Sequence, residues 1–138
     1  MAEVEFTDNS PKILSAFEAQ VRAALVAIGN EARDYAVDEC PVDTGLLRNS
    51  LAYAIAGEAP DKTGYQADKG DATGEYSGST PAEPEGSYAV YIGSNVKYAA
   101  VQEFGDFNHT TGKQHFLKDA ITNHTDRYKM LAEAALKK

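Results

Sequence analysis

The chain has 138 residues, a formal net charge of −8 and a single cysteine. This length predicts one domain with a modest core, and the lone cysteine excludes an internal disulfide. No apolar run reaches the roughly 18 residues of a membrane span, and the acidic N-terminus lacks the apolar stretch of a signal peptide. The acidic balance disfavours direct DNA binding, because cationic side chains must neutralise the phosphate backbone.

The strongest local pattern is an amphipathic helix predicted over residues 11–39. Apolar residues recur at spacings of three and four from Leu14 to Tyr35, which places them on one helix face. Pro41 predicts the end of this helix, because the residue before a proline disfavours the α conformation. The helix would be about 43 Å long, and Gly29 is a candidate for a kink near its middle.

Short elements follow this helix. Residues 42–45 have the composition of a turn, and a short helical segment is predicted to follow over 45–49. The side chain of Asp43 or Thr44 is expected to cap the first N–H groups of this segment. Residues 51–55 and 88–92 alternate between larger and smaller side chains, which is typical of strands. We expect these two strands to pair in an antiparallel sheet.

Residues 57–87 join the two predicted strands and are rich in Gly, Pro, Ser and acids. Seven acids and two lysines give this insertion a net charge of −5. Such a composition buries little apolar area, and loops longer than about 15 residues are commonly functional or disordered. The pattern predicts a long, flexible hairpin loop. It is either a solvated insertion without function or a segment that orders against a neighbouring subunit.

The C-terminal part predicts two more helices. A short helix over 98–104 ends at Gly105, and a last helix spans 116–136. The expected buried face of the last helix comprises Leu117, Ile121, His124, Tyr128, Leu131 and Ala135. The predicted fold is α+β within a single domain of residues 1–138, with a long N-terminal helix, a small antiparallel sheet containing the inserted loop, and a C-terminal helix.

Two short segments flank the insertion. Residues 41–50 read Pro-Val-Asp-Thr-Gly-Leu-Leu-Arg-Asn-Ser, and residues 98–105 read Tyr-Ala-Ala-Val-Gln-Glu-Phe-Gly, followed closely by Phe116-Leu117. In this order, behind a long helix, they resemble a tailed-phage head–tail junction family of tail-component, tail-completion and minor capsid (neck) proteins. The chain departs from the family pattern by one inserted leucine (Leu46 and Leu47) and by Asp106, where Thr or Ser is expected. The matching motif positions are Pro41, Asp43, Thr44, Gly45, Leu47, Arg48, Tyr98, Glu103, Phe104, Gly105, Phe116 and Leu117.

The resemblance implies a non-enzymatic virion protein at the neck, between the head connector and the tail tube. Its copies would form a closed ring of six or twelve around the DNA channel through heterologous contacts. The implied partners are the head connector or closure protein and the tail-tube or tail-terminator protein, with DNA only as passing cargo. It implies no cofactor, no metal and no membrane, and it implies assembly in the host cytoplasm. Tail completion, head closure and tail termination remain alternatives.

Two other functions are compatible with parts of the chain. Asp43-Thr44-Gly45 spells the catalytic triplet of aspartic proteases, which requires two facing aspartates on a β-rich dimer. Here the triplet follows a helix and a proline, which favours a structural role in a turn. The acidic insertion would also suit an inhibitor that mimics nucleic acid, although its acids lie on a Gly-rich segment rather than a rigid face.

Nucleophilic and metal chemistry are weaker alternatives. Cys40 could pair with one of three distant histidines, His109, His115 or His124, but nothing around it resembles a strained nucleophile turn, and a small buried hydrophobe is favoured. A metal site would draw on Glu103, Asp106, His109 and His115, whose spacing fits no common zinc pattern.

Glu103 carries a separate hypothesis. It ends an otherwise apolar helix, and an acid in such a place is rarely buried without a partner. We therefore predict that Glu103 accepts hydrogen bonds from Arg48 or from the Thr44–Gly45 backbone and so pins the two motif segments together. The alternative is a solvated surface glutamate.

Overall fold

The computed structural model describes residues 10–104 and 115–137. The helices and strands in chain order are α1 (Ser10–Glu39), α2 (Leu46–Ser50), β1 (Ala52–Ile55), β2 (Gly64–Gln66), β3 (Thr73–Glu75), β4 (Val90–Gly93), α3 (Ala99–Phe104), α4 (Phe116–Thr122) and α5 (Thr125–Leu136). The α+β class, the long N-terminal helix and the small antiparallel sheet are confirmed.

Helix α1 is the element against which much of the chain packs. It runs for 30 residues and ends at Glu39, two residues before Pro41, as predicted. Strands β1 and β4 and helices α4 and α5 all contact it. A Cβ atom on Gly29 would lie 2.6 Å from the Tyr53 ring and 2.9 Å from a methyl of Val90. Helix α1 continues through Gly29, and this glycine allows the helix to approach the sheet closely.

Strands β1 and β4 form the main sheet, with cross-strand partners running from Ala52 and Gly93 to Ile55 and Val90. Because side chains alternate along a strand, Tyr53 faces α1 and the small Ala52 and Ala54 face the opposite side. Both alanines are buried, at 4% and 6% exposure. The insertion therefore covers the second face of the sheet.

The insertion contains a second sheet that the composition did not predict. Strands β2 and β3 pair antiparallel, and Tyr65 stands opposite Gly74. A Cβ atom on Gly74 would lie 2.6 Å from a ring carbon of Tyr65, so the tyrosine ring occupies the space above this glycine. This hairpin lies in the middle of the insertion. The predicted flexibility of residues 57–87 remains a prediction.

The predicted last helix is two helices rather than one. Helix α4 ends at Thr122, and α5 begins at Thr125 after a turn at Asn123 and His124. The hydroxyl of Tyr128 donates to the carbonyl of Ala120 across this turn. Because the chain turns between α4 and α5, both helices contact α1. The sequence pattern had predicted one continuous helix and did not predict this arrangement.

The apolar stripes are only partly buried. The side chain of Ile121 is 50% exposed, although its spacing predicted a buried position. At the start of α1, Ile13 is 67% exposed, Leu14 55% and Phe17 46%. The described helices include none that is both long and apolar enough to cross a membrane.

Candidate functional site: the motif segments and the inserted hairpin

The two motif segments meet in the centre of the core. Leu47 of α2 and Phe116 of α4 are 3% and 0% exposed and belong to one buried cluster with Ala99 of α3. The end of α1 completes this cluster with Ala36 and Cys40. These contacts bring residues from both sides of the insertion into one apolar core.

Glu103 is buried at 4% exposure, but its partner differs from the prediction. Its carboxylate accepts hydrogen bonds from the backbone N–H groups of Leu117 (3.0 Å) and Lys118 (2.9 Å). The predicted bonds from Arg48 or the Thr44–Gly45 backbone are wrong, and so is the alternative of a solvated glutamate. The first N–H groups of a helix have no intrahelical partner and carry partial positive charge, so a carboxylate satisfies them well. Glu103 thus joins α3 to the start of α4.

The Asp-Thr-Gly turn binds the tip of the inserted hairpin. The carbonyl of Thr44 accepts hydrogen bonds from the backbone N–H groups of Asp68 (2.8 Å) and Lys69 (3.0 Å). The Thr44 hydroxyl accepts a hydrogen bond from the N–H of Leu46, the first residue of α2, at 3.3 Å. The N-cap residue is Gly45, however, so the predicted cap by the side chain of Asp43 or Thr44 is not formed at the N-cap position. Gly45 has a φ of 88°, and a Cβ there would lie 2.9 Å from the carboxyl carbon of Asp68. A side chain at this position would be strained and would push the hairpin away.

The side chains that follow the turn complete the contact. Arg48 forms an ion pair with the carboxylate of Asp68. Asn49 donates from its amide nitrogen to Asp68 Oδ1 at 2.9 Å and to the carbonyl of Gln66 at 2.8 Å. The hydrogen bonds from Asn49, and next those from Arg48, lower the pKa of Asp68 below its usual value. We name Thr44, Gly45, Arg48 and Asn49 the hairpin clamp.

Two further arginines hold the insertion against α1. Arg22 pairs with Glu58 at 2.7 Å, and Arg33 pairs with Asp61. Asp61 also accepts from the N–H of Tyr53 at 2.9 Å, along the outer edge of β1. Exposed ion pairs are individually weak. Here they act beside backbone hydrogen bonds, so the insertion is docked at several points.

Sequence reasoning missed Asn49 and the three paired acids of the insertion, Glu58, Asp61 and Asp68. The only available signal was the run Asp68-Lys69-Gly70-Asp71, whose composition is typical of a tight turn. A turn there would have predicted a hairpin. The docking of this hairpin on α2 could not be predicted, because it depends on contacts between residues about 20 positions apart in the sequence.

A cleft of about 170 Å³ lies between the main sheet and the insertion. We name it the sheet cleft. The small residues Ala52, Ala54 and Gly93 contribute to its lining from the sheet, Tyr91 also belongs to β4, and Tyr76 and Thr80 line it from the insertion. Its surface is mostly apolar.

Other motif residues lie at the surface. Tyr98 is 41% exposed and Phe104 is 74% exposed, although Phe104 directly follows the buried Glu103. Asp43 is exposed in the turn between α1 and α2. Gly105 lies outside the described residues.

The structure places the candidate reactive groups Cys40 and Asp43 in different surroundings. Cys40 is 2% exposed, and burial raises its pKa to about 12, so the thiol stays protonated at neutral pH and is a poor nucleophile. The Asp43 triplet leads into α2 and not out of a hydrophobic strand, unlike the protease arrangement. Within residues 10–104 and 115–137, no three His, Cys, Asp or Glu side chains are grouped to hold a metal ion. Asp106 and His109 of the hypothetical metal set lie outside the described residues.

Residues 5–105 match the HK97-gp10-like family model, described as "Bacteriophage HK97-gp10, putative tail-component". The chain belongs to this bacteriophage tail-component family, which confirms the resemblance predicted from its motifs. The matched region contains the hairpin clamp, the insertion and Glu103, and it ends before Phe116. No curated protein and no solved structure matches the chain.

Proposed function

We propose that this protein is a non-enzymatic component of the phage neck, where its copies form a ring around the DNA channel and join or complete the tail. The observation that carries the proposal is the exposed apolar end of α1, formed by Ile13, Leu14 and Phe17. Such a stripe on a helix is normally covered, and a contiguous apolar patch marks an interaction surface. In a tail component, the natural cover is a neighbouring virion subunit.

Ring closure requires two different surfaces on each copy, because a head-to-tail contact repeats around a cyclic axis. The apolar end of α1 supplies one surface, and the docked insertion supplies a second. Six or twelve copies would suit this junction. The partners would be the head connector or closure protein on one side and the tail-tube or tail-terminator protein on the other.

DNA passes through the proposed ring as cargo. The net charge of −8 disfavours adhesion to the phosphate backbone, so a long polymer could slide without being held. The protein would reside in the virion after assembly in the host cytoplasm. Tail termination and head closure are variants of the same proposal. An acidic inhibitor is less well supported, because three of its seven insertion acids are already paired with arginines.

Native mass spectrometry tests the proposal, using the protein alone and with the connector and tail-tube proteins of the same genome. We expect a closed ring, formed alone or with those partners. A double substitution Ile13→Ser and Phe17→Ser should abolish the ring and leave the far-ultraviolet circular dichroism unchanged. The matched control is Met130→Ser on α5, where Met130 is 59% exposed. A protein that stays monomeric with every partner contradicts the proposal.

A further inference from the structure

Phe104 is an aromatic side chain that projects from the surface. It is 74% exposed, the highest value among the large hydrophobic side chains of the described residues. Its neighbour Glu103 is buried and accepts hydrogen bonds from two backbone N–H groups of α4. Those bonds hold the end of α3 against the start of α4, and Phe104 directly follows this anchored residue.

The sheet cleft has the size and chemistry to receive one such ring. Its volume of about 170 Å³ is well below the roughly 300 Å³ at which small-molecule sites begin. Apolar cavities of about 150 Å³ accept a single benzene ring. The small side chains of Ala52 and Ala54 line it, and Tyr76 and Tyr91 offer aromatic contacts.

The charges beside the two features are complementary. Lys118 is exposed, and its backbone N–H donates a hydrogen bond to Glu103, the residue before Phe104. Glu75 directly precedes Tyr76 of the cleft and is exposed. The insertion that lines one side of the cleft also carries Asp71, Glu83 and Glu85. Such a pairing of basic and acidic rims guides two surfaces into register.

We propose that Phe104 of one copy inserts into the sheet cleft of the next copy. This inference rests on the proposed ring and names a contact that would build it. The high exposure of Phe104 excludes its insertion into the cleft of its own chain. In the proposed ring, each copy inserts Phe104 into the cleft of the next copy and receives the Phe104 of the previous one, so the contact is heterologous and repeats around the axis. The insertion then has a direct role, since Tyr76 and Thr80 form part of the cleft.

Cysteine cross-linking tests the contact in assembled rings. A Phe104→Cys protein is mixed with a Tyr91→Cys protein in the presence of the connector and tail-tube proteins, and the mixture is oxidised. We expect a cross-linked dimer that neither variant gives alone. The control pairs Met130→Cys with Tyr91→Cys. The native Cys40 does not compete, because it is 2% exposed.

A second measurement uses a variant in which the side chain of Phe104 is shortened. Phe104→Ala should weaken ring assembly about 30-fold, the effect of removing a central aromatic anchor, and Phe104→Leu should restore part of it. The thermal unfolding of the monomer should not change. Rings that assemble normally with Phe104→Ala, or cross-link no better than the Met130 control, overturn this contact and leave the proposed function intact. A wild-type protein that forms no ring with any partner overturns both.

Discussion

The motif core and the docked insertion are held together by different forces. Around Phe116 and Leu47, the stabilisation comes from apolar burial, supplemented by the carboxylate of Glu103 at the start of α4. The insertion instead depends on ion pairs and on hydrogen bonds to the clamp. Added salt screens exposed ion pairs, whereas it does not weaken apolar burial in this way and salts such as sulfate strengthen it. We therefore expect added salt to weaken the docking of the insertion more than it weakens the packing of the motif core.

The largest expected effect is in the core. Phe116→Ala should destabilise the fold by about 3–5 kcal/mol, because it removes a fully buried ring and leaves a cavity. The matched control is Phe104→Ala, the same chemical change at a 74% exposed position, with an expected cost below about 0.5 kcal/mol. Urea unfolding measures both. Equal losses of unfolding free energy in Phe116→Ala and Phe104→Ala would contradict the assignment of Phe116 to the core and Phe104 to the surface.

Glu103 tests the polar part of the core. Glu103→Ala should cost about 1–3 kcal/mol, because two backbone N–H groups at the start of α4 lose their acceptor. Glu103→Gln should cost less, since the amide oxygen can still accept. Amide hydrogen exchange of Leu117 and Lys118 should rise in the alanine variant. Unchanged exchange would show that the carboxylate is not their acceptor in solution.

Gly45 tests the clamp. Gly45→Ala should cost about 1–2 kcal/mol from the left-handed backbone alone, and the new Cβ should also push Asp68 away. The matched control is Gly70→Ala, which has a φ of 85° but no atom within 4 Å of the added Cβ. Limited proteolysis should cut the hairpin faster in the Gly45 variant than in the control. Similar cleavage in the two variants would rule out the steric contribution.

The smallest effect is the response of the clamp to pH. The pKa of Asp68 is lowered in the fold from 3.8, so its contribution is complete above that value. It is lost as pH falls through the lower, folded pKa. The protection of the amides near Lys69, which is the intrinsic exchange rate at each pH divided by the observed rate, should therefore decrease in acid. The same decrease should be present at neutral pH in Asp68→Asn. A hairpin equally protected in that variant would mean that the backbone bonds of Thr44 suffice.

The accuracy of sequence reasoning differed between the same two regions. The end of α1 before Pro41 and the pairing of β1 with β4 were predicted, because these features follow from local patterns. The hairpin was missed because its strands are three residues long and too polar to show periodicity. The partner of Glu103 was wrong because the free N–H groups of a helix are invisible in a side-chain pattern. Short polar elements are fixed by distant partners, and a single sequence does not reveal those partners.

Each of the four arginines of the chain is engaged in an intramolecular ion pair: Arg22 with Glu58, Arg33 with Asp61, Arg48 with Asp68 and Arg127 with Glu31. Arginine is the side chain that grips a phosphate with two parallel hydrogen bonds, whereas lysine offers a single point charge. A surface whose guanidinium groups are already paired with carboxylates offers a nucleic acid few free arginines to bind its phosphates. If copies of this protein form the proposed ring, the pairs that dock the insertion also lower the friction between the ring and the DNA that passes through it.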